Sequence, residues 1–202
     1  MGDLNIYLLM KHTIPNNWDE VPLNVGRKIF SINASGKTDS EYLEQVLNCF
    51  DIDLTPLSIE EVNIYKSLVY KLLSVPPKDT LEDVYYIGGV RYRLITDLKQ
   101  LTFGEFLDIE FILSGENLNI WDVIHQLLGI LLREEVKVKK SIFSKSTFKI
   151  LEHNADNVFK NAELFDKVLS VNDVYGFATF FLLQGMVYSQ TLLYLYQTQK
   201  KS

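Results

Sequence analysis

The residues of this 202-residue sequence that could do nucleophilic, acid–base or metal chemistry are few and scattered. The single cysteine, Cys49, follows an amphipathic stretch and stands between an asparagine and a phenylalanine, a setting typical of a packed thiol. The three histidines, His12, His125 and His153, are far apart in the sequence, and none has a second histidine at a spacing that would form a metal pair on one helix face. These residues therefore predict no cysteine-rich or histidine-based metal centre.

Two neighbouring carboxylates are the best remaining candidates for chemistry. Asp51 and Asp53 could bind a metal or share a proton. A polar helix terminus explains them equally well, because no third carboxylate follows at calcium-loop spacing. A small hydrolase built on these two residues and a distant histidine stays open as an alternative function. His125 falls on a polar stripe with Asp122 and Gly129, and we expect it to be solvated.

Phosphate and nucleic-acid binding find little support in the sequence. Gly88-Gly89 stands in a hairpin pattern with no glycine-rich phosphate-loop motif near it, and the net charge of −6 gives no general attraction to phosphate backbones. One basic stretch interleaved with Phe143 and Phe148 is a local candidate for an acidic contact, although a solvated loop is favoured. Its lysines are Lys137, Lys139, Lys140, Lys145 and Lys149. We expect no cofactor and no specific nucleic acid.

Helical patterns dominate the elements that must position these residues. Apolar residues recur with helical spacing, and a Ser or Thr followed three residues later by Glu predicts several helix starts. The predicted helices cover residues 39–50, 59–73, 103–112, 119–133 and 155–168, with a long C-terminal helix opened by Ser170 and Asp173. The predicted capping boxes are Thr38-Glu41, Ser58-Glu61 and Thr102-Glu105.

One hairpin and one proline pair, which interrupts the helical pattern, complete the predicted architecture. Residues 84–95 are rich in β-branched and aromatic types around Gly88-Gly89, which predicts a two-residue hairpin turn, whereas residues 134–150 are interpreted as a loop with at most a short strand. The fold class is therefore mainly α (α+β), a helical bundle of about six to seven helices with one β-hairpin near residues 84–95. Pro76-Pro77 separates an N-terminal helical subdomain (1–75) from a hairpin plus helical subdomain (76–202) packed on it as one compact unit.

The C-terminal stretch raises the question of a membrane anchor. Residues 174–199 carry no charge and are followed by two lysines, and a spanning helix needs about 20 apolar residues. Several Gln, Ser and Thr residues and two glycines lower its hydrophobicity, so we favour a buried helix of a soluble core and keep a C-terminally anchored protein as an alternative. The N-terminus lacks the features of a secretory signal, which favours the cytoplasm.

Three segments suggest a family. They are a Pro-Trp entry in residues 14–21, a glycine-turn hairpin followed by Leu-Thr-Phe-Gly-Glu-Phe-Leu-Asp in residues 87–108, and residues 170–181 ahead of an aromatic helix. Together they resemble small proteins of the virion-morphogenesis modules of tailed bacteriophages, including crAss-like phages. The resemblance implies a non-enzymatic structural or assembly protein, a neck, tail or packaged cargo component, found in the host cytoplasm during assembly and in the virion. A tail-assembly chaperone missing from the mature virion is the alternative.

We therefore predict contact with other phage virion proteins, with self-association as a further option. Small assembly proteins commonly add strands or dock helices into partners, and the hairpin could pair its edge with a strand of another protein. The aromatic residues of the C-terminal helix outnumber what one core face needs, so some are expected to meet another subunit. The predicted partner-binding residues are Tyr86, Val90, Tyr92, Lys139, Lys140, Phe143, Tyr188 and Tyr194.

Overall fold

A computed structural model of the chain describes residues 13–97, 100–115, 118–138, 147–152 and 154–183. These residues form seven helices and a four-stranded antiparallel sheet, which confirms the predicted mainly helical α+β class. The helices are α1 (Leu23–Phe30), α2 (Asp39–Cys49), α3 (Ile59–Leu73), α4 (Phe103–Leu113), α5 (Ile120–Leu131), α6 (Ala155–Val168) and α7, whose described part covers residues 171–183. The strands are β1 (Val84–Ile87), β2 (Val90–Leu94), β3 (Leu132–Val138) and β4 (Thr147–Ile150).

The three predicted capping boxes are all present at helix starts. At α2, α3 and α4 the cap hydroxyl accepts a hydrogen bond from the backbone N–H of the glutamate, whose carboxylate accepts one from the cap N–H. Ser170 and Asp173 make the same reciprocal pair of bonds at the start of α7. Local sequence therefore decides where these helices begin.

The sheet is larger than the sequence indicates. The predicted hairpin is β1–β2, and Gly88 (φ 58°) and Gly89 (φ 80°) both adopt the left-handed conformation that this two-residue turn requires. The prediction of a loop with at most a short strand over residues 134–150 is wrong for residues 134–138 and 147–150, because β3 and β4 extend the sheet in the order β1-β2-β3-β4, and residues 139–146 lie outside the described residues. Helix α5 ends at Leu131 and the chain passes directly into β3, so the pairing with β2 ends the helix two residues before its predicted end.

Two hydrophobic clusters make up the core. The first lies among α1, α2 and α3, and the second lies between the inner face of the sheet and helices α4 to α7. Phe30 packs against both clusters, with its ring centroid 5.2 Å from that of Trp18 and 4.4 Å from that of Trp121. Backbone bonds from Leu23 N to Leu169 O (2.8 Å) and from Val171 N to Val21 O (2.9 Å) also tie the first unit to the start of α7.

Helix α5 is the central helix of the second cluster, and His125 on its polar stripe is not solvated as expected, although Asp122 is exposed. A Cβ on Gly129 would lie 2.5 Å from the carbonyl oxygen of Val158, so only glycine allows α5 and α6 to approach this closely. His125 is half-buried, and its Nδ1 is buried with no hydrogen-bond partner among the described residues. Burial is the main cause that lowers its pKa, and the neighbouring Arg27 guanidinium adds to the effect.

The described part of α7 packs into the second cluster through Val174, Phe177, Ala178 and Phe181. The rest of the uncharged C-terminal stretch, from residue 184 onward, lies outside the described residues. Within the described ranges, no helix is both long and apolar enough to cross a membrane.

Candidate functional site

Two of the residues that could do chemistry, Cys49 and Asp53, make hydrogen bonds within their own helix or turn. Asp53 is exposed, and its Oδ1 accepts a hydrogen bond from the backbone N of Thr55 at 2.8 Å. Cys49 is half-buried, its Sγ donates to the carbonyl oxygen of Gln45 (3.2 Å), and burial raises the pKa of its thiol. Asp51, also exposed, has φ 58° at the end of α2. Among the described residues no three His, Cys, Asp or Glu side chains converge as a metal site, and His12 and His153 lie outside those residues.

The outer face of the sheet instead carries a dense cluster of charge. Arg91 and Arg93 alternate with core-facing residues along β2, and each stands opposite a charged residue of β3. Glu135, whose side chain is only 3% exposed, lies between them: its Oε1 is 2.5 Å from Arg93 Nε and its Oε2 is 3.1 Å from Arg91 Nε. A nearly buried carboxylate thus bridges two arginines of the neighbouring strand.

A second buried ion pair attaches α4 to this cluster. Arg133, the cross-strand neighbour of Arg93, pairs with Glu105, the capping-box glutamate of α4. The Glu105 side chain is fully buried, and burial also lowers the pKa of the Arg133 guanidinium. The cluster therefore joins β2, β3 and α4 through three arginines and two glutamates, an excess of one positive charge.

Two aromatic side chains flank the arginines toward solvent. The guanidinium carbon of Arg91 lies 4.0 Å from the centroid of the Phe148 ring, a cation–π geometry, and Phe148 is 46% exposed. Tyr86, the cross-strand partner of Arg91 on β1, is 74% exposed. The outer face thus offers exposed aromatic surface beside a fixed array of cationic groups.

The outer edge of β1 carries backbone groups that point away from β2. In this antiparallel hairpin the pairs Ile87/Val90, Tyr85/Tyr92 and Asp83/Leu94 share ladder bonds, as the bond from Leu94 N to Asp83 O (2.9 Å) confirms. The intervening residues, Val84 and Tyr86, therefore direct their N–H and C=O groups away from β2. No strand of the described residues pairs with that outer edge.

The predicted partner-binding residues differ in how far they are buried, and most of them lie outside the described residues. Tyr86 is exposed at the β1 edge, and Val90 is half-buried against the second cluster. Tyr92 faces the core at 5% exposure, with its ring edge toward Phe165, so it supports the fold and offers no surface to a partner. Lys139, Lys140, Phe143, Tyr188 and Tyr194 lie outside the described residues. Because β2 is paired on both sides, the accessible edge of the hairpin is β1 alone.

The basic stretch is also placed differently from the prediction. Lys137 and Lys149 are exposed on β3 and β4, so these two residues belong to strands and not to a loop. The charged cluster on the outer face was missed by sequence reasoning. The alternation Arg91-x-Arg93 is a visible signal that these side chains share one face, but the partners Glu105 and Glu135 come from distant segments.

Comparisons with protein-family models, with curated proteins and with solved structures found no match to the chain. What the protein binds must therefore be inferred from its own residues and geometry.

Proposed function

We propose that the protein is a non-enzymatic bacteriophage structural or assembly protein that binds other virion proteins, as a neck, tail or packaged cargo component. The observation that supports binding is the outer edge of β1, which no strand of the described residues covers, with the outward backbone groups of Val84 and Tyr86 and the exposed Tyr86 ring. The phage setting is supported by the resemblance of residues 14–21, 87–108 and 170–181 to virion-morphogenesis proteins.

The two edges of the sheet differ in a way that favours β1 as the binding edge. Natural proteins protect sheet edges with lysine, proline or bulges, because an unprotected edge is a template for another strand. Strand β4 carries Lys149 at one edge, whereas β1, with the sequence Val-Tyr-Tyr-Ile, has none of these residues and pairs with β2 in continuous register. An added strand would bond to the Val84 and Tyr86 backbone groups.

The outer face holds together the three strands behind this edge. The Arg91–Glu135–Arg93 bridge and the Arg91–Phe148 contact hold β2, β3 and β4 together on the side away from the core. Strand β1 itself is anchored by the buried Tyr85, whose hydroxyl donates to Asp173 O at 2.9 Å, so a partner strand would add to a strand already held in place. The proposal gives no catalytic role to Cys49 or Asp53, because the thiol is bonded to its own helix and the carboxylate to its own turn.

The test uses proline at the outward-facing position of β1. Tyr86→Pro removes an N–H that β2 does not use, so the hairpin ladder should survive while strand addition fails. We expect Tyr86→Pro to lose co-purification with virion proteins and to keep its helical circular dichroism. Tyr86→Ala, the matched control, keeps the N–H and should lose less. Unchanged co-purification of Tyr86→Pro would refute the edge as the binding surface.

Other proline positions do not separate binding from folding. Val90 and Tyr92 belong to β2, which is paired on both sides, so proline there would disrupt the sheet itself. Quantitative mass spectrometry of purified virions complements the proline test. Many copies per particle would support a structural or cargo role, and absence from the particle combined with a cytoplasmic complex would favour the chaperone alternative.

A further inference from the structure

Five side chains form a patch of aromatic and cationic groups on the outer face of the sheet. Strand alternation places Tyr86, Arg91, Arg93, Lys137 and Phe148 on this face, and we call these five residues the outer-face patch. The register sets Tyr86 opposite Arg91 and Lys137 opposite Phe148, and the Arg91 guanidinium reaches across to the Phe148 ring. The patch therefore spans all four strands, with an exposed aromatic ring at each end.

This face is positively charged although the chain as a whole is acidic. Its carboxylates among the described residues, Glu105 and Glu135, are both paired with arginine, and their side chains are 0% and 3% exposed. Four cationic side chains stand against these two carboxylates, an excess of two positive charges in a chain of net charge −6. The four cations are Arg91, Arg93, Arg133 and Lys137. A local excess of this sign favours an anionic partner.

The arginines keep hydrogen-bonding capacity for such a partner. Glu135 lies against the Nε atoms of Arg91 and Arg93, and among the described residues no acceptor is bonded to the Nη groups of either arginine. The Arg93 side chain is 36% exposed, and Lys137 is exposed as well. Guanidinium Nη groups form charge-assisted hydrogen bonds with phosphate oxygens, so Arg93 and Lys137 are suited to bind phosphate.

We infer that the outer-face patch binds a single-stranded polynucleotide without regard to its base sequence. Each repeat of such a chain offers a negatively charged phosphate and a flat base, and an aromatic ring stacks on any base. One base would lie on the Tyr86 ring, which is 74% exposed, and another against the Arg91–Phe148 pair. The two rings stand on the first and fourth strands, roughly 14 Å apart across the sheet, so the polynucleotide crosses the strands.

Other anionic partners would use less of the patch. An acidic peptide would pair with the cations but would leave both rings without a stacking partner, and the bases of a duplex are already stacked on each other. The exposed carboxylates of Glu82 and Asp83, just before β1, would repel a phosphate near the start of that strand. The polynucleotide therefore runs from Tyr86 toward Lys137, away from those carboxylates.

Fluorescence anisotropy of a labelled oligo(dT) with the full chain at low salt tests the inference, with an oligonucleotide of about ten nucleotides. We expect Tyr86→Ala and Phe148→Ala each to weaken binding by about fivefold or more, which corresponds to about 1 kcal/mol, the lower end for stacking one base on an aromatic side chain. Tyr86→Trp keeps a stacking ring and should bind like the wild type. Tyr70→Ala, which removes a 54% exposed ring on α3, is the matched control and should change nothing.

Two further measurements separate stacking from charge. An abasic oligonucleotide of the same length keeps the phosphates but lacks the bases, so it should bind about fivefold more weakly or worse. Two phosphate contacts, at Arg93 and Lys137, predict a slope of about −1.4 for the logarithm of the association constant against the logarithm of salt concentration. Lys137→Gln should reduce that slope to about −0.7.

Several outcomes would overturn the inference. They are no oligo(dT) binding at low salt, equal binding of the abasic oligonucleotide, and binding that Tyr86→Ala and Phe148→Ala leave unchanged. Polyglutamate or phosphatidylcholine–phosphatidylglycerol vesicles that compete as well as unlabelled oligo(dT) would also overturn it. Circular dichroism of each variant checks folding.

The inference does not depend on the β1 edge as a protein-binding surface. Strand addition uses the backbone N–H of Tyr86, whereas stacking uses its ring and that of Phe148. Phe148→Ala should therefore lose oligo(dT) binding and keep co-purification with virion proteins, so the two proposals fail separately.

Discussion

Helices α2 and α4 begin with the same capping box but use it in opposite surroundings. At α2, Glu41 is exposed, and hydrogen bonds from Thr38 lower the pKa of its carboxyl. At α4, Glu105 makes the same bonds to Thr102 and is fully buried against Arg133. A motif of four residues therefore fixes the start of a helix and says nothing about which of its faces will be buried.

The two helices also differ in what they offer to solvent. Helix α2 buries Leu43, Val46 and Leu47 and exposes its polar side, as an ordinary surface helix does. Helix α4 buries a glutamate and exposes three phenylalanines. The difference is that α2 turns its apolar side into the core, whereas α4 keeps most of its large apolar side chains in solvent.

The largest effect is expected from neutralising the buried carboxylate of α4. Glu105→Gln can still accept the Thr102 cap bonds but leaves the buried Arg133 without a counter-charge, so we expect a loss of roughly 3–5 kcal/mol in unfolding free energy. The matched change in α2, Glu41→Gln, should cost far less because Glu41 is in solvent. Urea unfolding of both variants at pH 7 measures the difference. Similar losses of unfolding free energy in Glu105→Gln and Glu41→Gln would contradict the proposed difference between the two helices.

A paired substitution sharpens the same comparison. Replacing both charges, as in Glu105→Leu with Arg133→Met, should recover most of the stability lost by Glu105→Gln, because apolar residues can fill a buried ion-pair site. If the double variant is as unstable as the sum of its single changes, the two residues act independently and the ion pair is not what holds α4 in place.

The next largest effect is expected at two glycines that differ in their surroundings. Gly129→Ala would place a Cβ 2.5 Å from the Val158 carbonyl oxygen and 3.1 Å from Ala162 Cβ, so it should cost about 1–3 kcal/mol. Gly104→Ala, on the open side of α4, meets nothing within 4 Å and should stabilise the helix by up to about 1 kcal/mol. Thermal unfolding of both variants checks the signs. A neutral Gly129→Ala would contradict the close packing of α5 on α6.

The smallest effect concerns the dependence of stability on pH. Since the pKa of His125 is lowered in the folded state from 6.5, the unfolded chain binds its proton first and stability falls as pH drops below about 6.5. The lowered pKa values of Glu41 and Glu61 predict a separate loss as pH falls below 4.5. His125→Gln should remove the upper phase alone. Urea midpoints from pH 8 to about pH 2 distinguish the two phases, and an unchanged upper phase in His125→Gln would exclude this assignment.

Local sequence predicts much of the fold, and the features that it misses depend on contacts between residues far apart in the chain. The limits of α3 and the Gly88-Gly89 turn follow from caps, periodicity and backbone conformation. The strand pairing of β3 with β2 does not, because residues such as Arg93 and Arg133 are far apart in the chain and only the folded sheet brings them together. Apolar and charged residues alternate over only a few positions in residues 134–138. Because three of these five residues are charged, the pattern does not predict a strand.

In the candidate site, too, local sequence predicts some features, and others become evident only in the folded structure. Tyr86 and Tyr92 are both aromatic and both lie in the predicted hairpin, yet one is in solvent and the other is in the core. Alternation along a strand predicts that they differ in face but not which of them is buried. The burial of Glu105 has no local signal at all, since its capping box matches that of Glu41.

The central claim is that α4 holds Phe103 and Phe111 in solvent while it buries Glu105. Tryptophan fluorescence of a Phe111→Trp variant tests it most directly, because Trp18 and Trp121 are only 2% and 8% exposed and resist quenching. In dilute solution we expect added red-shifted emission that acrylamide quenches readily, because Phe111 is 82% exposed. Blue-shifted, protected emission at every dilution would show that this side of α4 is covered within a single chain and would contradict the claim.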